Sequence, residues 1–263
     1  MAHVIPVVNQ KGGVGKTTTT VNLSTSLALQ GYQVLVIDLD PQGNCSSSFG
    51  VVKDELDLHA YHVLLGHASI DDVIIETEIE GLTLVPTNMH LAGAEIELVT
   101  EMGREGRLAD ALVDVVDHYD LILIDCPPSL GLVTLNALTA ADLLIVPLQC
   151  EYFALEGVSQ LLHTLELVRS RINPSVELIG VALTMFDRRN KLSFSVQAEV
   201  ASYFGDVMFE TVIPRNVRLS ESPSHGKPVA LYDAKSSGAK AYKALADEFV
   251  QRLSDKLNAE EPV

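Results

Sequence analysis

Cysteine is scarce in this chain, and the scarcity narrows the choices. Cys45, Cys126 and Cys150 are the only three. They are widely spaced, odd in number and form no C-x-x-C pair, which excludes a disulfide framework and a cysteine-rich zinc site and suits a reducing compartment. We expect them to be packing residues. Pro/Gly/Ser-rich linkers, low-complexity tracts and repeats at a period of roughly 20–50 residues are also missing. At 263 residues, 47% hydrophobic and 20% charged, the chain therefore reads as one globular domain spanning 1–263, with disorder confined to the terminal NAEEPV. Long apolar runs are absent as well. Met1–Ala2–His3 leads into VIPVV, far shorter than a secretory or membrane-spanning segment, so a cytoplasmic protein is expected.

Positive charge is the other shortage. Lysine and arginine total 18 against 35 Asp and Glu, a net charge of −17, which argues against a surface built to meet nucleic acid on all sides. The deficit is uneven. Residues 51–120 hold 16 acidic and 3 basic side chains, whereas residues 180–245 hold 6 acidic and 9 basic. One face keeps enough cations to meet a phosphate backbone.

What is present is an alternation of short apolar runs and longer segments of helical period. VIPVV (4–8), VLVID (34–38), LTLVP (82–86), LILID (121–125), LLIVP (143–147) and LIGVAL (178–183) read as strands covered on both faces. Helical segments are predicted over 16–30, 105–118, 153–172 and 193–204. The expected fold is α/β, a mostly parallel twisted sheet with helices on both faces, whose ligands bind outside the carboxyl ends of the strands.

Chemistry-bearing residues stand at those ends. After the first strand comes KGGVGKTT, Lys11, Gly12, Gly13, Val14, Gly15, Lys16, Thr17 and Thr18. Its glycines turn the backbone N–H groups inward, the following helix offers its positive end, Lys16 reaches β/γ-phosphates and the Thr17 hydroxyl can ligate Mg²⁺. It is a variant phosphate loop, because the common pattern would place its first glycine at Gln10. Asp125 ends LILID, where a carboxylate can hold Mg²⁺ through water, and Pro127–Pro128 stop the strand. Asp38 and Asp40 in DLDPQGN would point to opposite sides of a continuing strand, and Asp40 could orient or deprotonate an attacking water. The motif also reads as a plain Asp-Pro turn. His59, His62 and His67 lack the partners that would complete a metal site and read as solvated or capping residues.

The stretches NQKGGVGKTTTTVNL, VLVIDLDPQGN, LILIDCPPSLG, LTMFDRR and TVIPRNVRLSESPSHGKP together resemble the ParA/Soj family of chromosome and plasmid partition ATPases. The resemblance runs from residue 4 to about residue 250, and the last of these stretches narrows it to the Soj-like branch. It implies an ATP- and Mg²⁺-dependent ATPase, weak until stimulated, that forms a homodimer around two nucleotides. It further implies that Lys11 reaches across the two-fold axis to the partner's ATP while Lys16 serves its own, with Gly12 kept small for the partner's approach. Asp40 would then act on the hydrolytic water, Asp125 on the metal's outer shell, and Pro214 and Asn216 on adenine. Arg189 and Arg218, with Arg188 and Lys191 adjacent, would contact DNA without sequence preference. A ParB-type centromere-binding partner and nucleoid association follow from the same likeness, and no membrane contact does.

Three alternatives share parts of this pattern. A MinD-type membrane-associated ATPase ends in a basic amphipathic helix; here Phe249, Val250, Leu253 and Leu257 form a stripe flanked by Asp247, Glu248, Asp255, Glu260 and Glu261, so we expect the stripe to pack on the domain. A cluster-bearing ATPase of the nitrogenase-reductase type needs two cysteines converging on the two-fold axis, and Cys126 and Cys150 stand in other surroundings. A nucleotide-gated DNA-binding regulator with little turnover would not need both Lys16 and Asp40.

Overall fold

The computed structural model describes residues 2–151 and 154–260. Its strands are β1 (His3–Val7), β2 (Val34–Asp38), β3 (Ile75–Glu76), β4 (Leu82–Val85), β5 (Leu121–Asp125), β6 (Leu143–Gln149) and β7 (Glu177–Thr184). Its helices are α1 (Lys16–Ala28), α2 (Asn44–Ser48), α3 (Ala60–Leu64), α4 (Leu91–Glu97), α5 (Arg107–Leu112), α6 (Leu132–Ala140), α7 (Ala154–Arg171), α8 (Lys191–Phe204), α9 (Val217–Glu221), α10 (Val229–Tyr232) and α11 (Ser237–Glu260). The strands form one sheet in the order β3-β4-β2-β5-β1-β6-β7, parallel throughout except for β3 against β4.

Each central strand feeds two cores, because successive side chains point to opposite faces. Ile122 and Ile124 of β5 join Val133 and Ala137 of α6 on one face. Leu121 and Leu123 join Leu23 and Leu27 of α1 and Tyr242 and Phe249 of α11 on the other. Both sides are dry, which is why these strands read as continuous apolar runs. A buried leucine or isoleucine here stabilises the fold by roughly 1.5–3 kcal/mol relative to exposure. Helix α1 is buried almost all round despite its threonines and serines. Their hydroxyls bond back into the helix, Thr20 to the Lys16 carbonyl (3.2 Å), Thr25 to Val21 (2.7 Å) and Ser26 to Asn22 (2.7 Å), so little polar capacity is left unmet.

Register sets the site. Val7 pairs with Asp125, and Asp125 pairs with Asp38, so β1, β5 and β2 end in one row at the carboxyl edge of the sheet. With β2 and β4 on one side of this centre and β6 and β7 on the other, the loop after β1 lies where the strand order changes direction, the usual place for a ligand crevice.

Some expectations fail locally. The helix read over 105–118 is α5 followed by a short 3-10 turn at Val116–His118, because the β-branched Val113, Val115 and Val116 around Asp114 weaken it. The terminal NAEEPV is helical as far as Glu260 in α11, and residues 261–263 lie outside the described residues, as does 153 of the helix read from that position. The C-terminal stripe packs as expected at Phe249 and Leu253, both buried in the core shared with α1, while Leu257 is exposed. Among the described residues no helix is long and apolar enough to cross a membrane.

Candidate active site

The loop between β1 and α1 is held in shape from three sides. Gly13 (φ 76) and Gly15 (φ 94) take left-handed backbone that other residues adopt only under strain. Asn9 accepts the Lys11 N–H (2.9 Å) and donates to the Pro147 carbonyl at the end of β6 (2.8 Å). Thr184, at the end of β7, donates to the Val14 carbonyl (2.8 Å). The free N–H groups at the start of α1 and the helix dipole thus face one fixed spot, suited to phosphate.

The two lysines of the loop have opposite surroundings. Lys16 is buried, and its Nζ donates to the Lys11 carbonyl (3.3 Å), folding back over the cradle. Burial pulls its ammonium below the usual lysine range, against Asp125 and Asp40, which hold it up. Lys11 lies outside, its side chain 40% exposed, and forms an ion pair with Glu151 just beyond β6. At Gly12 an added Cβ would meet nothing within 4 Å, so nothing inside the chain requires glycine there.

Three carboxylates gather at the sheet edge beside Lys16. Asp125 is fully buried, and its Oδ2 has no hydrogen-bond partner. Burial first, then Asp38, push its carboxyl well above the usual range, against the Thr17 hydroxyl that pulls it down. An unpartnered buried carboxylate oxygen with two more aspartates nearby fits a divalent cation, and Thr17 and Asp125 could hold Mg²⁺ there. The expectation that Asp38 and Asp40 point to opposite sides of a continuing strand fails twice: residues two apart share one face of a strand, and β2 stops at Asp38. Asp38 is buried and accepts the Ser46 N–H (2.8 Å) and hydroxyl (2.7 Å), anchoring α2, with its pKa raised to about 6 chiefly by burial. Asp40 is half-buried; one of its oxygens accepts the Gln42 N–H (3.0 Å) in the Asp-Pro turn, and the other is free to meet water.

Beside the loop opens a cavity of about 580 Å³ lined by Gly15, Thr18, Met185, Pro214 and Asn216 among others. Pro214 and Asn216, far from the loop in sequence, are thus brought to it. Asn216 is also structural: its carbonyl oxygen caps α9 through the Arg218 N–H (2.8 Å), and its amide donates to Ser237 (2.6 Å). Met185 takes φ 53 on the cavity wall, a conformation costing roughly 1–2 kcal/mol for a residue with a side chain.

Comparison with known proteins agrees with this geometry. The AAA domain family matches residues 2–178. The sporulation initiation inhibitor protein Soj of Bacillus subtilis is 53% identical over 248 residues, covering 94% of this chain and 98% of that one. The chromosome partitioning protein ParA of Caulobacter vibrioides is 52% identical over 256 residues, covering 97% and 96%. This chain belongs to the Soj/ParA family of P-loop ATPases. Among solved structures, cobyrinic acid a,c-diamide synthase from Mycobacterium smegmatis with bound ATP analogue and magnesium superposes with a TM-score of 0.86 at 40% identity, covering 97% and 96%. The septum site-determining protein MinD from Pyrococcus horikoshii, complexed with Mg-ADP, gives 0.78 at 29%, covering 97% and 98%.

In this Soj/ParA chain the two arginines expected at DNA lie on different elements, and both are ion-paired. Arg189, in the turn after β7, makes a two-toothed pair with Asp187 (3.0 Å to each oxygen), which pulls the Asp187 carboxyl down to about 2. Arg218, on α9, pairs with Glu221 (2.8 Å) and Asp233 (3.3 Å). A groove of about 720 Å³ collects Arg188, Arg189, Arg215 and Lys240, and Arg218 does not line it. Arg215 and Lys240 were not singled out in the sequence, since only folding brings α11 beside the turn after β7. His59 stands at the N-cap of α3, where His62 Nδ1 accepts its N–H (3.2 Å), so both are capping residues, and His59 is buried rather than solvated. Cys45 and Cys126 are buried and Cys150 half-buried, all three free thiols.

Proposed function

We propose that this partitioning ATPase binds ATP with Mg²⁺, pairs with a second copy across the two nucleotides, and in that form grips DNA without sequence preference until a ParB-type partner stimulates hydrolysis. The observation that carries the reading is the contrast between the lysines. One ammonium completes the chain's own cradle; the other stands at the rim, beside a glycine whose open side faces no part of the same molecule.

The backbone N–H groups of residues 12–18 and the Lys16 ammonium would bind the β- and γ-phosphates, with the base in the cavity at Pro214 and Asn216. Magnesium, when bound at Thr17 and, through water, Asp125, offsets charge on the phosphate oxygens. Asp40 orients the attacking water and takes its proton, its position steadied by the Gln42 N–H. Lys11 leaves Glu151 for the partner's phosphates, so the triphosphate itself supplies the attraction between copies. Arg189 and Arg218 trade their carboxylates for DNA phosphates. One copy gains little by that trade, and two copies held together gain from valency. The cargo, a chromosome or a plasmid, is served by the same cycle.

Gel filtration with ATP, ADP or no nucleotide, repeated with DNA, tests the reading. A dimer with ATP alone, and DNA retention by that dimer alone, is expected. An oligomeric state indifferent to the nucleotide would overturn it.

A further inference from the structure

The cavity proposed for the base and the groove of Arg188, Arg189, Arg215 and Lys240 share a wall. Pro214 and Arg215 line both. Backbone bonds pin this wall to the turn after β7: the Ile213 carbonyl accepts the Phe186 N–H (3.0 Å), and the Arg215 N–H donates to the Phe186 carbonyl (3.0 Å). That turn carries Arg189 and its partner Asp187. A short run of backbone thus borders the cavity while its fastenings lead to an expected DNA contact.

The run continues into Asn216, whose carboxamide has two attachments. Its oxygen accepts the Arg218 N–H (2.8 Å) and caps α9, the helix of the second arginine. Its nitrogen donates to the hydroxyl of Ser237 (2.6 Å), the first residue of α11. A cap needs only an oxygen, which Asp or Ser supplies as well. What asparagine adds is a pair of N–H donors, one used at Ser237 and one left for a ring nitrogen of a base in the cavity that Asn216 lines. Resonance holds the carboxamide flat, so a base that fixes its plane fixes both attachments.

Those attachments matter because α9 has little of its own to hold it. Its five residues are too few to form a stable helix apart from cap and packing. Leu219 supplies the packing: it is buried, lines the cavity, and would collide with a Cβ at Gly238, so α9 lies directly against the start of α11. There Ser237 and Lys240 are exposed and line the groove. Asn216 therefore stands where the cavity, the Arg218 helix and the α11 edge of the groove meet.

We infer that Asn216 is a positioning residue that transmits filling of the base cavity to Arg218 and to the start of α11 within a single copy of the chain, before any pairing of copies. The inference rests on the proposed placement of the base at Pro214 and Asn216. It gives the nucleotide a second route to DNA beside valency: pairing brings two faces together, and the base orders each of them.

The test separates the base from the phosphates. Mg²⁺–ADP supplies the base without the γ-phosphate expected to drive pairing, and Mg²⁺–pyrophosphate at saturating concentration supplies phosphates without a base. With the full chain and hydrogen exchange as the readout, both should slow residues 12–18, and ADP alone should slow 217–221 and 237–241 about fivefold or more. Asn216→Asp keeps the cap oxygen but offers the base no N–H, so ADP should still slow 12–18 and no longer slow 217–221. Ser237→Ala should bind ADP within about twofold of the unaltered chain yet lose the ADP-induced slowing over 237–241, and Ser237→Thr, which keeps the hydroxyl, should restore it. A hydrogen bond that only holds the fold would raise exchange by one factor with and without ADP, leaving the ratio of the two rates unchanged. With ATP, the Ser237→Ala dimer should bind DNA about threefold more weakly or worse, again restored by threonine. The inference is overturned by slowing over 12–18 alone with ADP, by equal slowing of all three segments with pyrophosphate, or by an unchanged ratio or unchanged DNA affinity in Ser237→Ala; each leaves the proposed function standing. Absence of any slowing by ADP, residues 12–18 included, takes down both.

Discussion

The floor of the nucleotide crevice and its rim are built on different principles. On the floor, Lys16, Asp38 and Asp125 are buried, the two aspartates are set side by side by strand register, and every neighbour of the three belongs to the same molecule. On the rim, Lys11, Arg189 and Arg218 are exposed or half-exposed, each in an ion pair with a carboxylate. Exposed pairs are worth little, roughly 0–1 kcal/mol, so these cations are released cheaply to another molecule. The floor is complete in one copy of the chain. The rim is arranged to be completed from outside.

Substitutions on the floor should therefore have the largest effects. Lys16→Ala should abolish ATP binding, read as loss of at least two orders of magnitude in affinity by calorimetry, because Lys16 is the one buried lysine or arginine among the described residues. Measurable binding within tenfold of the unaltered chain would show that Lys11 reaches its own phosphates after all, and the contrast between floor and rim would collapse. Asp40→Ala should lower turnover about 10²- to 10⁴-fold, as loss of a positioned base does, while ATP still produces the dimer. A monomer with ATP would place Asp40 in assembly instead of chemistry.

Rim substitutions should spare nucleotide binding. Arg189→Glu or Arg218→Glu is expected to leave the ATP-dependent dimer intact and weaken DNA binding about tenfold, with a shallower dependence on salt as phosphate contacts are lost. Lost dimerisation in either variant would move that arginine from the nucleic-acid face to the protein interface.

The same contrast decides what the sequence could show. β2 and β5 coincide with VLVID and LILID, because a strand buried on both faces must be apolar throughout and the floor residues stand at its end. The rim and the acidic region were less legible. Strand β3 has two residues and α2 and α3 five each, too short to show a period, so their conformation comes from tertiary contacts such as Asp38 with Ser46 and Tyr61 with Glu97 (2.9 Å). Asp38 and Asp40 look equivalent in DLDPQGN, and only the end of β2 separates an anchor from a half-exposed carboxylate. Nothing in the spacing of Asn216 and Ser237, or of Lys11 and Glu151, marks them as partners, because each pair is joined by the fold alone.

The smallest expected effect is the most informative about the rim. Glu151 holds Lys11 within its own molecule, so pairing of two copies has to break that contact before the ammonium can serve a second triphosphate. Glu151→Gln removes the charge and keeps the shape. If the ion pair competes with assembly, the variant should dimerise with ATP at two- to fivefold lower protein concentration, since about 1 kcal/mol corresponds to a factor of about five, and its affinity for ATP in the monomer should not move. Lys11→Ala sets the opposite limit, an intact cradle with no dimer. Should Glu151→Gln weaken dimerisation, the carboxylate would be working for the assembly, by orienting Lys11 toward the neighbouring nucleotide. Sedimentation of the two variants across a range of protein concentrations separates a latch from a guide.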